Sequence, residues 1–202
     1  MARPIGSTSS ARLRILSCAS ELFYRKGVNH VGVNEIIDAS GVAKMTLYHH
    51  FKSKNDIITA VLDARRQQRS EGLQAAMARA RTPRRQILAA FDYLDDIIGD
   101  PAFRGCAFIN TTVELAEPSH PASRISTQHK QHMIDEFERV AAQAGWRNPR
   151  LFALQCQLLW DGATAAAQVN YDNAPVRAAR SAVETLMESV QPEKMQSAGG
   201  RS

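Results

Sequence analysis

Six residues within nine positions, Lys44, Met45, Thr46, Tyr48, His49 and Lys52, bring together an unusual mix of chemical groups. Lysine supplies a cation, threonine and tyrosine hydroxyls, histidine an imidazole, and methionine and threonine methyl groups. Set on one face of a short helix, such a mix suits the major groove of duplex DNA. There hydroxyl and imidazole groups bond base edges, and methyls meet the methyl of thymine. Lysine and tyrosine at the margins hold phosphates and fix register without reading sequence. A helical hairpin with a solvated basic face has the same composition, so the surrounding elements decide.

Helical periodicity dominates the chain, and no run of alternating β-branched residues with hairpin turn signals suggests a strand. A first helix is expected over residues 11–26, capped by Ser9 or Ser10, with an apolar stripe of Leu13, Leu16, Ala19, Leu22 and Phe23. Gly27 supplies a left-handed stop. A short helix fits residues 33–39, with Ile36 and Ile37 inward, and another fits residues 43–50. Ser40, Gly41 and Val42 form the turn between them, where glycine enters positive φ without steric cost. Val42 and Leu47 then lock the second short helix onto the first, leaving Lys44, Met45, Thr46, Tyr48 and His49 to point outward.

Ser53 and Asp56 have the spacing of a capping box, opening a long helix that continues towards Arg81. Thr82 and Pro83 cap a fifth, reaching Ile98. After the break at Gly99, Asp100 and Pro101, helical pattern resumes over residues 103–116, as one piece or two. Residues 117–121 are the clearest linker. Further helices fit residues 122–144, 148–170 and 175–190, and the Gly- and Ser-rich tail from 191 is expected to be disordered.

Composition narrows the function. The net charge is +5 in 202 residues, and residues 1–52 hold seven basic groups against three acids, so +4 of that surplus sits at one end. That end is built to approach phosphate. No apolar run nears the ~18 residues that cross a bilayer, and residues 1–10 lack the apolar stretch of a secretory signal, so a cytoplasmic protein is expected. Cys18, Cys106 and Cys156 are too far apart for a zinc site or a disulfide framework; each reads as a small buried hydrophobe, with a redox-sensing thiol as the rival. His129 and His132, with Asp135 and Glu136 one turn on, have conceivable ligand spacing but read as an exposed polar face. Asp92, Asp95 and Asp96 likewise read as a solvated face. No nucleophile–base pair, phosphate loop or metal motif points to catalysis, and no cofactor is expected.

The segment Lys44-Met45-Thr46-Leu47-Tyr48-His49-His50-Phe51, after Ala39-Ser40-Gly41-Val42, closely resembles the recognition segment of the TetR family of repressors. Leu22 to Gly27 before it and Lys52 to Asp56 after it share the resemblance, which is specific over residues 11–61. It implies a three-helix DNA-binding head, a larger helical ligand-binding body and a homodimer. Carried over by position, Thr46 and Tyr48 would contact phosphate or base edges, His49 would lie along the recognition helix, and Lys52 would clamp the backbone. Lys44 matches a position used at the helix start, and Phe51 reads as a hinge-side core residue. Two positions depart: the family usually has Ser or Thr where Ala43 stands, capping the recognition helix, and often Thr where Val31 stands.

The body resembles the family more loosely, at residues 104–114 and 158–163. The resemblance implies an inducer pocket among the middle helices, lined by Phe91, Leu94, Phe103, Phe108, Asn110, Thr112, Met133 and Trp160, with ordinary core as the rival reading. Residues 122–144 and 148–170 match the family's dimerisation pair. There Gly162, Ala163, Ala166 and Ala167 would permit close approach, while Leu158 and Leu159 supply buried area. The expectation is an all-α chain with a helix-turn-helix head over residues 8–52, a ligand-binding and dimerisation body over 53–190 and a tail over 191–202. Its partners would be double-stranded operator DNA of roughly palindromic sequence, an unidentified small-molecule inducer and a second copy of itself, without membrane association. The alternatives are a ligand-independent DNA-binding or assembly module and a small all-helical enzyme.

Overall fold

The computed structural model describes residues 6–190, with side chains from Ser10 onward; the expected tail lies outside these described residues. Among them are nine α-helices and no strand: α1 (Gly6–Lys26), α2 (Val33–Ser40), α3 (Lys44–His50), α4 (Lys54–Ala78), α5 (Pro83–Ile98), α6 (Ala107–Leu115), α7 (Pro121–Gln143), α8 (Pro149–Asn170) and α9 (Ala174–Ser189). They form two compact units, whose division runs through α4 and α7. The first takes in the described residues up to Leu73 with Asp100–His132, the second Gln74–Gly99 with Met133 onward.

In the first unit α1 starts earlier than expected, so Ser9 and Ser10 lie inside the helix rather than capping it. Once a helix is nucleated, each added residue gains a hydrogen bond, and nothing at residues 6–10 stops it. Its buried lane is Ala11, Ile15, Ala19 and Phe23, whereas Leu13 faces outward at 62% exposure. Gly27, at φ 89°, donates its N–H to the Phe23 carbonyl at 2.9 Å and ends α1. Gly41, at φ 62°, does the same for α2 through the Ile37 carbonyl at 3.0 Å. Val42 and Leu47 are buried, as the lock between the short helices requires, and Phe51 joins them. Burying a leucine as completely as Leu47 contributes ~1.5–3 kcal/mol. The same core continues through Ile57, Ile58, Val61 and Leu62 of α4 to Phe108 of α6 and Ala122 of α7.

The Ser53–Asp56 capping box is formed. The Asp56 carboxylate accepts the N–H groups of Lys52 and Ser53 at 2.9 and 3.0 Å, and Ser53 Oγ accepts the Asp56 N–H at 3.1 Å. Residues 103–106, expected to be helical, are not. Gly105 has φ 83°, and the Tyr24 hydroxyl donates to its carbonyl at 2.9 Å while accepting the Arg104 N–H at 2.8 Å. These bonds replace the intrahelical ones.

His129 also departs from expectation. It is 6% exposed, not on a solvated face, and its ring stacks on Phe108 with centroids 3.9 Å apart. His132 instead shares a 2.6 Å hydrogen bond with Ser70. Burial, reinforced by the charges of Lys130, His132, Arg69 and Arg66, pulls the His129 pKa from 6.5 down to about 3. The neutral ring is therefore favoured in the fold, so stability is full above pH 6.5 and falls as the pH drops from there towards 3. The slope approaches ~1.4 kcal/mol per pH unit, about 2 kcal/mol by pH 5. Melting temperatures between pH 5 and 7.5 should fall more steeply in the native protein than in His129→Gln. Superimposable curves would reject a buried neutral imidazole.

In the second unit α5, α8 and α9 pack on one another. Thr82 caps α5 through the Arg85 N–H, with Pro83 in the first turn. Phe91, Phe137 and Trp160 form an aromatic cluster with centroids 5.8–6.4 Å apart. Two aspartates expected to be merely solvated hold α9: Arg180 donates to Asp92 at 2.7 Å, and Asn173 to Asp95 at 2.8 Å. Ala163 and Ala167 are buried within the chain, which removes them from the expected helix-approach surface. Of the cysteines only Cys156 is buried, and burial pushes its thiol pKa up; Cys18 and Cys106 are half-exposed, contrary to expectation.

Candidate nucleic-acid interface

The recognition face is built on a seven-residue helix whose inward side is used up by Leu47. Its outward side carries Lys44, Met45, Tyr48 and His49, all exposed, with Met45 at 80%; Thr46 is half-buried beside them. Lys52 is exposed just past the helix, where its backbone N–H is tied to Asp56, so the start of α4 fixes its position. The Arg12 guanidinium lies 5.3 Å from the Phe51 ring centroid, adding a further cation on α1. The face thus combines hydroxyl, imidazole, methyl and ammonium groups on a rigid support, as groove reading requires.

Ala43 is the N-cap of α3 and makes no side-chain cap bond. Its carbonyl accepts the Thr46 and Leu47 N–H groups, but the missing hydroxyl leaves ~1 kcal/mol of helix-start stability ungained. Val31 is fully buried, so this chain uses that position for core packing rather than for a hydroxyl.

Two clasps within this unit join the head to the segment around α6, and nothing in local sequence patterns marks them. The first is Tyr24 on Arg104 and Gly105. The Arg65 guanidinium sits 4.3 Å from the Tyr24 ring centroid and bonds Ser20 Oγ at 3.0 Å; burial raises the phenol pKa and lowers that of the guanidinium. The second is Glu114, whose carboxylate accepts the Asn29 N–H at 3.0 Å while the Asn29 side chain donates to the Glu114 carbonyl at 2.7 Å.

The residues expected to line a ligand pocket fall in both units. Phe91, Leu94, Met133 and Trp160 are buried in the second. Phe103, Phe108, Asn110 and Thr112 belong to the first, where Phe108 is buried and the other three are half-buried. The polar pair has local partners: Asn110 donates to the Arg104 carbonyl at 2.9 Å and Thr112 to the Phe108 carbonyl at 2.8 Å. Among the described residues, no cluster of three or more His, Cys, Asp or Glu side chains is arranged to hold a metal. No helix among them is long and apolar enough to cross a membrane.

A three-helix head with an exposed reading helix, set in an all-helical chain, defines a helix-turn-helix DNA-binding protein. Residues 15–61 match the family described as bacterial regulatory proteins, tetR family. The solved structure of SCO4454, a TetR-family transcriptional regulator from Streptomyces coelicolor, superposes with a TM-score of 0.85 at 31% identity, covering 91% of this chain and 97% of that one. The chain belongs to the TetR family of transcriptional regulators. Curated relatives include the transcriptional activator FasR of Mycolicibacterium smegmatis, 34% identical over 87 residues, and the repressor KstR2 of Mycobacterium tuberculosis, 34% identical over 62. These matches cover 43% and 31% of this chain, and span 40% of FasR and 31% of KstR2.

Proposed function

We propose that this regulator is a ligand-released repressor that binds a palindromic operator as a homodimer in the cytoplasm. The observation that carries the reading is the exposed face of α3, with Lys44, Met45, Thr46, Tyr48 and His49 backed by buried Leu47 and flanked by Lys52. Thr46 and His49 read base edges; Tyr48 and Lys52 hold phosphates. Repression follows the name of KstR2, whereas FasR is named an activator, so the sign of regulation rests on where the operator lies relative to the promoter.

A second copy is supported by α8, where Leu151, Leu154, Leu158 and Val169 stand exposed. Two-fold symmetry would set the two reading helices about 34 Å apart, one turn of DNA, which is why the operator is palindromic. A ligand in the body is supported by buried polar atoms that have no hydrogen-bond partner among the described residues: His120 Nε2 and His129 Nδ1 in the first unit, and both amide atoms of Gln157 in the second. Each costs ~1–3 kcal/mol if left unsatisfied. The candidate ligand contacts are Phe103, Phe108, Asn110 and Thr112 within the first unit and, taken separately, Phe91, Leu94, Met133 and Trp160 within the second. The ligand releases DNA only through its differential affinity for the two states, and within the first unit the clasps on Tyr24 and Glu114 carry the preference of a ligand bound there to the head.

Selection from a random DNA pool should recover one inverted repeat. On that DNA and on unrelated DNA alike, Lys52→Ala should weaken binding by the same factor and flatten the salt dependence by about one slope unit. Unchanged affinity and slope would reject the clamp. A compound that saturates the protein yet leaves operator affinity intact would reject the switch.

A further inference from the structure

We propose that a basic groove in the second compact unit binds an amphipathic anion, a small molecule with a phosphate or carboxylate head and an apolar body. The groove has a volume of about 610 Å³, formed by the end of α4, the loop to α5, the first half of α5 and Arg180 of α9. Volumes of ~300–1,000 Å³ are those of small-molecule sites.

Its charge is unbalanced. Arg79, Arg81, Arg85 and Arg180 line it against a single acid, Asp92. That acid is already engaged, since Arg180 donates to it at 2.7 Å and to Glu184 at 3.0 Å. Among the described residues no carboxylate pairs with Arg79, Arg81 or Arg85. The surrounding sequence, residues 72–91, holds four arginines and no acid, in a chain whose charge otherwise concentrates in the DNA-binding head. Guanidinium groups bind phosphate and carboxylate through paired N–H donors, and three of them around one space favour an oxyanion over a neutral ligand.

The apolar part of the lining sets the rest of the ligand. Leu88 and Ala89 on α5 are only half-buried and face the same space as the arginines. A free inorganic anion would leave that surface wet; an attached alkyl or ring body would cover it, at ~25 cal/mol per Å² buried. Thr82 caps the N-terminus of α5 beside the groove, and the dipole of this sixteen-residue helix adds to the positive field. This site is separate from the operator-reading face and does not rest on the repressor reading.

The test is calorimetric titration of the intact protein at low ionic strength with octyl phosphate below its micelle concentration, inorganic phosphate and octanol. Octyl phosphate should saturate one site per chain and bind at least about tenfold tighter than either of the others. The double variant Arg81→Gln, Arg85→Gln, checked for an unchanged circular dichroism melt, should lose about tenfold in octyl phosphate affinity. Equal affinity for octyl phosphate and inorganic phosphate would overturn the amphipathic site. An unaffected double variant would overturn its placement. Tight binding to phosphatidylglycerol vesicles with none to monomeric octyl phosphate would overturn the small-molecule occupant in favour of a membrane surface.

Discussion

Replacing Leu158 with Asp is expected, if the proposed homodimer forms through α8, to leave a folded monomer and to abolish tight operator binding. Leu158 is 71% exposed in the single chain, and Leu151 at 53%, Leu154 at 39% and Val169 at 74% share the exposed side of α8. Gly162 and Ala165, also exposed, lie between Leu158 and Val169, and the spacing follows one helical face. Isolated soluble chains rarely present such a contiguous apolar surface unless something covers it. In a two-fold interface the same leucine is buried twice, each burial worth ~1.5–3 kcal/mol, and a carboxylate there adds a desolvation penalty. The dimer dissociation constant should therefore rise by at least about a thousandfold, which corresponds to ~4 kcal/mol. Each head alone grips a half-site, so operator affinity loses the ~10²–10⁴ that linkage of two binding modules supplies. Sedimentation equilibrium and operator titration measure both effects, and a dimeric Leu158→Asp protein would remove α8 from the interface.

Gly27→Ala should destabilise the first unit by about 2–3 kcal/mol, through two separable causes. At φ 89° any side chain is strained, at ~1–2 kcal/mol. The new methyl would also lie 2.6 and 2.8 Å from the two carboxylate oxygens of Glu114. Glu114 is flexible enough to swing away, but doing so breaks its bond to the Asn29 N–H and opens the clasp between the head and α6. For a chain of this size the melting temperature should drop by about 4–12 °C. A double-mutant cycle tests the clasp: in a Glu114→Ala background, Gly27→Ala should cost only the backbone strain. Additive single effects would show that Glu114 and the glycine do not communicate. If the clasp transmits the ligand's preference, Glu114→Ala should also leave operator binding intact while blunting its release by inducer.

The reading helix was legible because every feature that makes it is local. Gly27 and Gly41 end their helices through bonds to carbonyls four residues back, and Ser53 with Asp56 closes a bond across three. Even the missing cap at Ala43 could be seen in advance, since a cap is one side chain next to one helix start. The interval over residues 103–106 was misread as helix because its stop is a hydroxyl from Tyr24, about eighty positions away. His129 looked like surface because a polar side chain at helical spacing normally is; its partner ring, Phe108, lies on a different helix.

Sequence alone determined the all-α class, the placement and ends of most helices, and the set of groups on the reading face. These depend on periodicity, capping and turn residues, whose interactions reach no further than about one helical turn. Tertiary structure decided which apolar lane each helix buries. On α1 it chose Ile15 over Leu13, and on α8 it took Ala163 and Ala167 inward while leaving Leu158 out. It also made the two clasps on Tyr24 and Glu114 and brought four arginines into one groove. An apolar stripe shows that a helix has something to bury, but what lies opposite depends on residues far along the chain. The head that meets DNA was therefore visible in the residues themselves, and the groups that couple it to α6 were not.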